Sequence, residues 1–220
     1  MIPGSPHPFQ LLDQNFLLLP QKALLWQDEK ALIVADVHLG KVGHFRKAGI
    51  AIPRSLEQVD LAMLSDLIQL YKPKKIIFLG DLFHSDFNND WDWMVLWRDL
   101  FTNVEMILVK GNHDIIADQF YLQSGFKVCD TYEKGPFLFI HEPMPLKKLT
   151  DQTPYIISGH IHPGVKLRGK GRQTLTLPCF HFGMRQAILP AFGKFTGKVC
   201  LQCDESDRIF GVLKESVVAL

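Results

Sequence analysis

Three short runs of consecutive apolar residues divide the first half of the chain. They are ALIVA at 31–35, KIIFL at 75–79 and EMILVK at 105–110. A strand that is covered on both faces is continuously hydrophobic, so each run predicts a buried strand of the kind found in parallel sheets. Apolar residues recur at helical spacing in three further segments, 54–71, 90–101 and 115–122. The first half therefore predicts alternating strands and helices.

The second half of the chain changes to short apolar stretches that are separated by turn residues. These stretches predict strands at 127–130, 137–141, 155–158, 173–177 and 208–213. Together with the first half, the pattern favours an open or layered α/β architecture. Because no repeat, low-complexity tract or flexible linker divides the chain, we expect a single domain over residues 1–220.

Composition adds one unusual feature, which is a surplus of histidine. Nine of the 220 residues are histidine, roughly double a typical share. Five of these histidines stand with Asp and Asn near the ends of predicted strands, where α/β sheets bind ligands. The full set is Asp36, His38, Asp81, Asn112, His113, Asp114, His141, His160 and His162. Residues two apart in an extended chain point to the same side, so we expect the Asp36–His38 and His160–His162 pairs each to face one site.

The types of donor atom in this set predict a divalent metal site. Asp, Asn and His supply oxygen and nitrogen ligands without thiolate, a combination that suits Mn²⁺, Fe or Zn²⁺ better than a structural zinc site. Seven ligands are too many for one tetrahedral ion, and they fit two adjacent ions that share a carboxylate. Such a pair of ions stabilises both the attacking and the leaving oxygen during displacement at phosphorus.

The order of these motifs resembles the calcineurin-like metallophosphoesterase superfamily. The series is Asp36-x-His38, Gly80-Asp81, Gly111-Asn112-His113-Asp114, His141 and Gly159-His160-x-His162. The resemblance implies the fold of that superfamily, an α/β four-layer αββα sandwich with two mixed sheets. It also implies a reaction in which a hydroxide that bridges two divalent ions attacks a phosphoester.

The resemblance further assigns roles to single residues. The implied metal ligands form two sets around a bridging Asp81: Asp36, His38 and His162 for one ion, and Asn112, His141 and His160 for the other. His113 is not a ligand in this pattern. It would stabilise the phosphoryl transition state or protonate the leaving oxygen, and Asp114 would orient its ring.

Segments in and around the metal motifs narrow the resemblance to a bacterial subgroup, the PdeM-like ligase-associated DNA-damage-response endonucleases. The similar segments are DVHLGK at 36–41, FRKAGI at 45–50 with Pro53, GHIHP at 159–163, and LPAFG at 189–193 with Thr196-Gly197. This similarity implies a Mn²⁺-dependent endonuclease that hydrolyses DNA, single-stranded DNA in particular, during DNA repair. It also implies functional association with a DNA ligase, a helicase and an exonuclease.

Basic and histidine side chains that follow the metal motifs are candidates for contact with a phosphodiester. Lys41 and Arg46 are the strongest candidates, because they closely follow the first motif. His44 follows the same motif and His84 follows the second, so both could reach the site. A second basic run at 166–172 follows the last motif in the same way. We expect these residues to line the rim of the metal site, where cations would position a phosphate backbone.

Two other functions stay open from the sequence. A small-molecule phosphoesterase, acting on a nucleotide or a lipid-linked pyrophosphate, would use the same metal residues below an apolar, lid-covered pocket. A non-catalytic scaffold is the third hypothesis. It is disfavoured because all seven implied ligands and His113 are present.

The remaining features limit the class and the location of the protein. A formal net charge of +1 argues against a protein that is held on nucleic acid by bulk charge. The N-terminus lacks the basic start of a secretory signal, and no apolar run approaches the roughly 20 residues of a membrane span. The four cysteines show no disulfide framework, and a metal or redox role for the Cys200–Cys203 pair is the alternative to incidental thiols. We therefore expect a cytoplasmic protein that does not associate with membranes. The sequence leaves its oligomeric state open.

Overall fold

Two β-sheets pack face to face at the centre of the molecule. The computed structural model describes residues 4–41, 49, 58–84, 87–169, 171, 173–194 and 196–220. Within these ranges the sheets contain seven and nine strands. Apolar side chains from both sheets form one shared core, with Phe16, Ile33 and Ile77 on the first sheet meeting Phe137 and Phe180 on the second.

The first sheet combines an antiparallel meander with a parallel half. Its strands, in spatial and sequence order, are β1 (His7–Leu11), β2 (Gln14–Leu18), β3 (Leu24–Trp26), β4 (Ala31–Val34), β5 (Lys75–Leu79), β6 (Glu105–Val109) and β7 (Phe126–Cys129). Strands β1 to β4 are antiparallel, and β4 to β7 are parallel. Leu12 and Asp13 both have positive φ, as a two-residue hairpin turn between β1 and β2 requires.

The second sheet is also mixed. Its strands are β8 (Tyr132–Lys134), β9 (Phe137–Phe139), β10 (Tyr155–Ser158), β11 (Pro163–Arg168), β12 (Thr174–Phe182), β13 (Gln186–Ile188), β14 (Val199–Cys200), β15 (Arg208–Val212) and β16 (Val217–Ala219). They lie in the order β14-β11-β12-β13-β10-β9-β8, while β15 pairs with β12 and β16 with β15. Strands β9, β10 and β13 run parallel to one another.

Helices cover the outer face of the first sheet. They are α1 (Val59–Tyr71), α2 (Asn89–Asp99) and α3 (Asp118–Gln123). Leu64 and Trp97 from the first two helices pack with Phe78 of β5 in a second core. Leu138 and Ile156 on the outer face of the second sheet pack against the loop around a 3₁₀ turn at Leu146–Lys148. In the described residues this loop, and no α-helix, covers that face.

The predicted α/β sandwich with two mixed sheets is confirmed, as are strands in all eight segments where the sequence predicts one. Helix α1 begins at Val59 in the described ranges, and residues 54–57, where the sequence predicts its first turn, lie outside them. The strands that the sequence analysis missed, β1 to β3 among them, are short and follow one another through tight turns, so no run stands out. Of the helices in the described ranges, none combines the length and hydrophobicity of a membrane span.

The fold brings the carboxyl ends of five strands to one edge of the sandwich. Parallel strands β4, β5 and β6 of the first sheet end there, and so do parallel strands β9 and β10 of the second. Hydrogen bonds join the two sheets at this edge, because the amide of Phe192 donates to the carbonyl of Ala35 at 2.8 Å and that of Gly193 to Asp36 at 3.1 Å. A Cβ on Gly193 would lie 2.3 Å from the carbonyl oxygen of Val37, so only glycine permits this approach.

Candidate dinuclear metal centre

Left-handed turns carry most of the candidate site. The residues Asp36, His38, Asp81, His160 and His162 have φ values of 53°, 53°, 51°, 68° and 54°. This conformation costs a non-glycine residue roughly 1–2 kcal/mol, and such strain concentrates at functional sites. The Asp36–His38 and His160–His162 pairs do face one site. They do so through these turns, however, and not through the extended chain that the sequence analysis expected.

The carboxylate of Asp36 holds the two sheets in register at the site. The amide of His160 donates to both of its oxygens, at 3.1 Å and 2.9 Å, across 124 residues of sequence. A Cβ on Gly159 would lie 2.6 Å from Asp36 Oδ2, so the glycine makes this approach possible. Asp36 is fully buried, and its orientation is therefore set by the fold.

One cluster of donor atoms consists of Asp36, His38 and His162. One ligand atom from each lies within 4.8 Å of the others, and His162 Nε2 is 3.4 Å from Asp36 Oδ1. His38 Nε2 is buried and has no hydrogen-bond partner among the described residues. A buried polar atom without a partner is unfavourable, and a cation at this point would satisfy it.

The second cluster contains Asp81, His141 and His160, again with ligand atoms within 4.8 Å. His141 Nδ1 lies 2.9 Å from the carbonyl oxygen of Leu79. A carbonyl only accepts hydrogen bonds, so Nδ1 carries the proton and Nε2 presents its lone pair. That lone pair faces His160 Nδ1 at 3.0 Å, Asn112 Oδ1 at 3.0 Å and Asp81 Oδ1 at 3.4 Å. Electron-rich atoms converge here in the way that a divalent cation requires.

Asp81 stands between the two clusters. Its Oδ1 is 3.4 Å from His141 Nε2, and its Oδ2 is 3.8 Å from His38 Nε2. The amide of His113 donates to Oδ1 at 2.9 Å and holds the carboxylate in this orientation. A Cβ on Gly111 would come within 2.3 Å of the same oxygen, so glycine is required at that position. One carboxylate thus presents one oxygen to each cluster, as a bridging ligand does.

The protonation state of His38 agrees with a metal ligand. Burial first, and then the charge of Lys41 and the neighbouring imidazoles of His84, His162 and His113, together lower its pKa to about 2. The ring is therefore neutral at physiological pH and keeps a lone pair on one nitrogen. Imidazole and carboxylate donors without sulfur fit two divalent ions of the Mn²⁺, Fe or Zn²⁺ type.

Comparisons with known proteins assign the family. Residues 29–190 match the family described as calcineurin-like phosphoesterase. The chain belongs to this family. Its members are metal-dependent phosphoesterases, and the two ligand clusters of this chain are the candidate sites for such metal ions. A comparison with curated protein sequences finds no significant match.

Solved structures of other phosphoesterases are similar to this chain. The nuclease MPE of Pseudomonas putida is 30 % identical, with a TM-score of 0.82 over 98 % of this chain and 100 % of that one. Yfce, a phosphoesterase from E. coli, is 13 % identical, with a TM-score of 0.44 over 86 % of this chain and 96 % of that one.

Two further histidines lie against the first ligand cluster of this phosphoesterase. The rings of His84 and His113 are 4.4 Å apart, and His113 is 5.5 Å from His38. His84 Nδ1 lies 3.1 Å from His38 Nδ1, so a hydrogen bond between them orients the His38 ring. The structure thus brings both residues to the site, as the sequence predicts, and gives His84 a contact with a candidate ligand.

Asp114 has a different role from the one expected. Its buried carboxylate accepts hydrogen bonds from the amides of Phe83 at 3.0 Å and Gly111 at 2.9 Å, and from the hydroxyl of Tyr121 at 3.3 Å. Burial raises its pKa to about 6, although the two amides lower the value in part. Its hydrogen-bond donors among the described residues are these two amides and the Tyr121 hydroxyl, and not the His113 ring. Asp114 therefore positions the loops that carry Asp81 and His113.

The structure brings only some of the residues that were predicted to contact phosphate to the site. Lys41 is beside the metal residues, since burial lowers its pKa while Asp81 and Asp36 raise it. His44 and Arg46 lie outside the described residues. Lys166 and Arg168 of the basic run do not line the rim as expected, and Lys170 and Arg172 lie outside the described residues. Strand β11 carries the first two away from the site, because six residues of strand separate positions 162 and 168 by about 20 Å.

A lysine-rich pocket beside the first cluster was missed from the sequence. It has a volume of about 60 Å³ next to His162, and its lining includes Lys22, Lys194, Thr196 and Lys198. Lys22 Nζ donates to the carbonyl of Gly193 at 3.1 Å. The pKa of Lys22 is lowered to about 8, mainly by burial and also by the charges of Lys198 and Lys194, while Asp60 opposes the shift. Lys22 is distant in sequence from Lys194 and Lys198, and the only sequence signal was the subgroup segment at 189–197, which contains Lys194 and ends next to Lys198.

Proposed function

We propose that this phosphoesterase is a two-metal-ion DNA endonuclease that hydrolyses phosphodiester bonds. The observation that carries the proposal is the pair of ligand clusters on either side of Asp81. Two ions that share a carboxylate stabilise both oxygens of an in-line displacement at phosphorus. The similarity to a nuclease at 30 % identity over 98 % of the chain supports a nucleic acid as substrate.

The two ligand clusters determine which of the two ions each proposed ligand would hold. Asp36, His38 and His162 would hold one ion, Asn112, His141 and His160 would hold the other, and Asp81 would bridge the two. When bound, the ions supply Lewis-acid charge and a water of lowered pKa. We propose Mn²⁺ as the native ion, because carboxylate, carboxamide and imidazole donors without thiolate suit it.

His113 is our candidate for the proton donor to the leaving oxygen. Its backbone amide is fixed by Asp81 at 2.9 Å, and its ring packs against His84 at 4.4 Å. The side chain is half-buried, so one edge of the ring remains open to a substrate. A positioned imidazole that protonates a leaving alkoxide speeds such reactions by roughly 10²- to 10⁴-fold.

The lysine-rich pocket supports a polyanionic substrate over a small neutral one. Lys22, Lys194 and Lys198 surround a concave surface that begins at His162, so a strand whose scissile phosphate lies at the metals would place the next phosphates among them. Such contacts follow the backbone without reading sequence, as in single-strand binding grooves. Local charge of this kind acts even though the whole chain has a formal net charge of only +1.

A role in DNA repair, in association with a DNA ligase, a helicase and an exonuclease, is part of this proposal and rests on the subgroup resemblance. A cytoplasmic location stays a prediction.

The proposed function is tested by a substrate panel on metal-depleted protein. We expect no cleavage after exhaustive chelation, and recovery of at least about 100-fold on addition of Mn²⁺. The panel compares circular single-stranded DNA, duplex DNA, a chromogenic diester, nucleotides and a nucleoside-diphosphate lipid. Linearisation of the circle supports an endonuclease. Turnover of only the nucleotides or the lipid would instead establish the small-molecule phosphoesterase.

The pH dependence of DNA binding tests the lysine-rich pocket. Lys22 has a pKa of about 8, so it is charged at pH 7 and mostly neutral at pH 9. We therefore expect single-stranded DNA to bind roughly two- to fivefold more weakly at pH 9, the contribution of one part-exposed ion pair. The Lys22→Arg variant keeps its charge at both values and should lose less affinity.

Fluorescence anisotropy with a labelled oligonucleotide, in a His113→Ala background that prevents turnover, measures this effect. Lys166→Gln is the matched control, because Lys166 lies on β11 beyond the pocket and should leave the pH profile unchanged. Identical profiles for the parent and Lys22→Arg proteins would contradict a phosphate contact at Lys22.

A further inference from the structure

A third group of metal-ligating side chains lies on the second sheet, apart from the dinuclear centre. His181, Cys203 and Asp207 each present one ligand atom, and these atoms are all within 4.8 Å of one another. Phe180 and Phe182, the neighbours of His181 on β12, point into the core between the sheets. Since side chains alternate along a strand, His181 points to the opposite, outer face.

The hydrogen bonds of His181 leave one ring nitrogen without a partner. Its Nε2 lies 3.0 Å from Asp207 Oδ2, so Nε2 donates its proton to the carboxylate. The same oxygen accepts the amide of Asp204 at 2.9 Å and closes the turn over residues 204–207. His181 Nδ1 is buried and has no hydrogen-bond partner in the part of the chain that the structure describes. One cation can bind Nε2 and Oδ2 together in place of the proton that they share, since these atoms are 3.0 Å apart, and the neutral ring then carries its proton on Nδ1.

Two further thiols lie near this group of ligands. Cys203 is exposed, and Cys200 precedes it in the CxxC pair. Cys179 lies two residues before His181 on the same face of β12; burial, together with the nearby thiols of Cys203 and Cys200, raises its pKa to about 12. All four cysteines of the chain are free. The dinuclear centre contains no sulfur ligand, so the two sites have different metal preferences.

We propose that His181, Cys203 and Asp207 form a third metal site, selective for Zn²⁺ or another thiophilic divalent ion. Thiolate, imidazole and carboxylate are the three ligand types that zinc takes in proteins, and three protein ligands leave a fourth position for water or a neighbouring thiol. On binding, the Cys203 thiol releases its proton to solvent and no electron is transferred. The ion would tie the loop after β14 to strand β12. This inference is independent of the substrate that the dinuclear centre hydrolyses.

Cobalt substitution distinguishes this site from the dinuclear centre. Co²⁺ is added to the full-length, metal-free, reduced protein, and the near-ultraviolet charge-transfer band of a cobalt–thiolate bond is recorded. Only a site with a cysteine ligand produces this band, so the dinuclear centre does not contribute. We expect the band to saturate at about one equivalent from this site and to disappear in Cys203→Ser.

Cys129→Ser is the matched control, since Cys129 lies on β7 in the other sheet and should leave the band unchanged. Cys203 is exposed, so its replacement leaves the core intact, and Asp207→Asn provides a second variant in which the band should weaken. Elemental analysis after dialysis against zinc should find about one ion fewer per chain in Cys203→Ser than in the parent. Phosphodiesterase activity of that variant with Mn²⁺ should be unchanged. Absence of the band in the parent, or its persistence in Cys203→Ser, would overturn the proposal.

Discussion

Replacement of Asp81 by asparagine should lower the rate of phosphodiester hydrolysis by roughly 1,000-fold, which corresponds to about 4 kcal/mol of transition-state stabilisation. Asp81 directs Oδ1 toward His141 at 3.4 Å and Oδ2 toward His38 at 3.8 Å. The substitution keeps one oxygen and the volume of the side chain but removes the negative charge that would attract both ions. Affinity for the metals and the rate should therefore fall together.

In the parent, the amide of His113 donates a hydrogen bond to Asp81 Oδ1 at 2.9 Å. The carboxamide oxygen of asparagine can accept the same hydrogen bond, so the fold should survive this change. The measurement combines steady-state kinetics, metal content by elemental analysis, and circular dichroism. Asp66→Asn is the matched control, since Asp66 is exposed on α1 and should keep full activity. An Asp81→Asn protein that retains both ions and the parent rate would show that the carboxylate is not a bridge.

Replacement of His113 by alanine should lower kcat for DNA by 10²- to 10⁴-fold, on the order expected for loss of a general acid. Metal content should not change, because His113 contributes no side-chain atom to either ligand cluster. The ring packs on His84 and stands 5.5 Å from His38, close enough to act on a group at the metals without binding one.

The leaving group separates proton donation from a merely structural role. A nitrophenolate leaves without protonation, so we expect His113→Ala to lose less than about tenfold on the chromogenic diester while it loses far more on DNA. The ratio of the two losses is the readout. Equal losses on both substrates would assign His113 to charge stabilisation of the phosphoryl group, and parent-like turnover of DNA would remove it from the mechanism.

The lysine-rich pocket and the third metal site show where reasoning from sequence stopped. His181 followed a strand-like segment without any motif around it, and the Cys200–Cys203 pair stood alone, so neither predicted a site by itself. Their convergence depends on β12 and on the turn at 204–207, where the Asp204 amide and His181 Nε2 meet at Asp207 Oδ2. Lys22 likewise lies at the edge that carries the metal residues, where its ammonium group donates a hydrogen bond to the carbonyl of Gly193 at 3.1 Å.

Asp114 illustrates the same limit inside a recognised motif. The family resemblance implied that it orients the His113 ring, whereas its carboxylate accepts hydrogen bonds from Phe83, Gly111 and Tyr121. Adjacent residues in a tight turn point in different directions, and residue order does not reveal which. The local spacing of Asp36 and His38 was similarly ambiguous, because an i, i+2 pair can converge through extended chain or through left-handed turns, and the structure has the latter.

The order of the metal motifs implied the two-sheet fold through its resemblance to a known family. The sequence by itself determined the strands with continuous apolar runs and the donor side chains that stand near their ends. These features are local, since burial on both faces of a strand and the chemistry of a donor atom are properties of short segments. Only the tertiary structure decided which donor faces which, that Asp81 lies between the clusters, where the lysines gather, and that three residues from β12 and its neighbouring loop form a further candidate site. Those depend on packing across the two sheets, where contacts such as His160 to Asp36 join residues 124 positions apart.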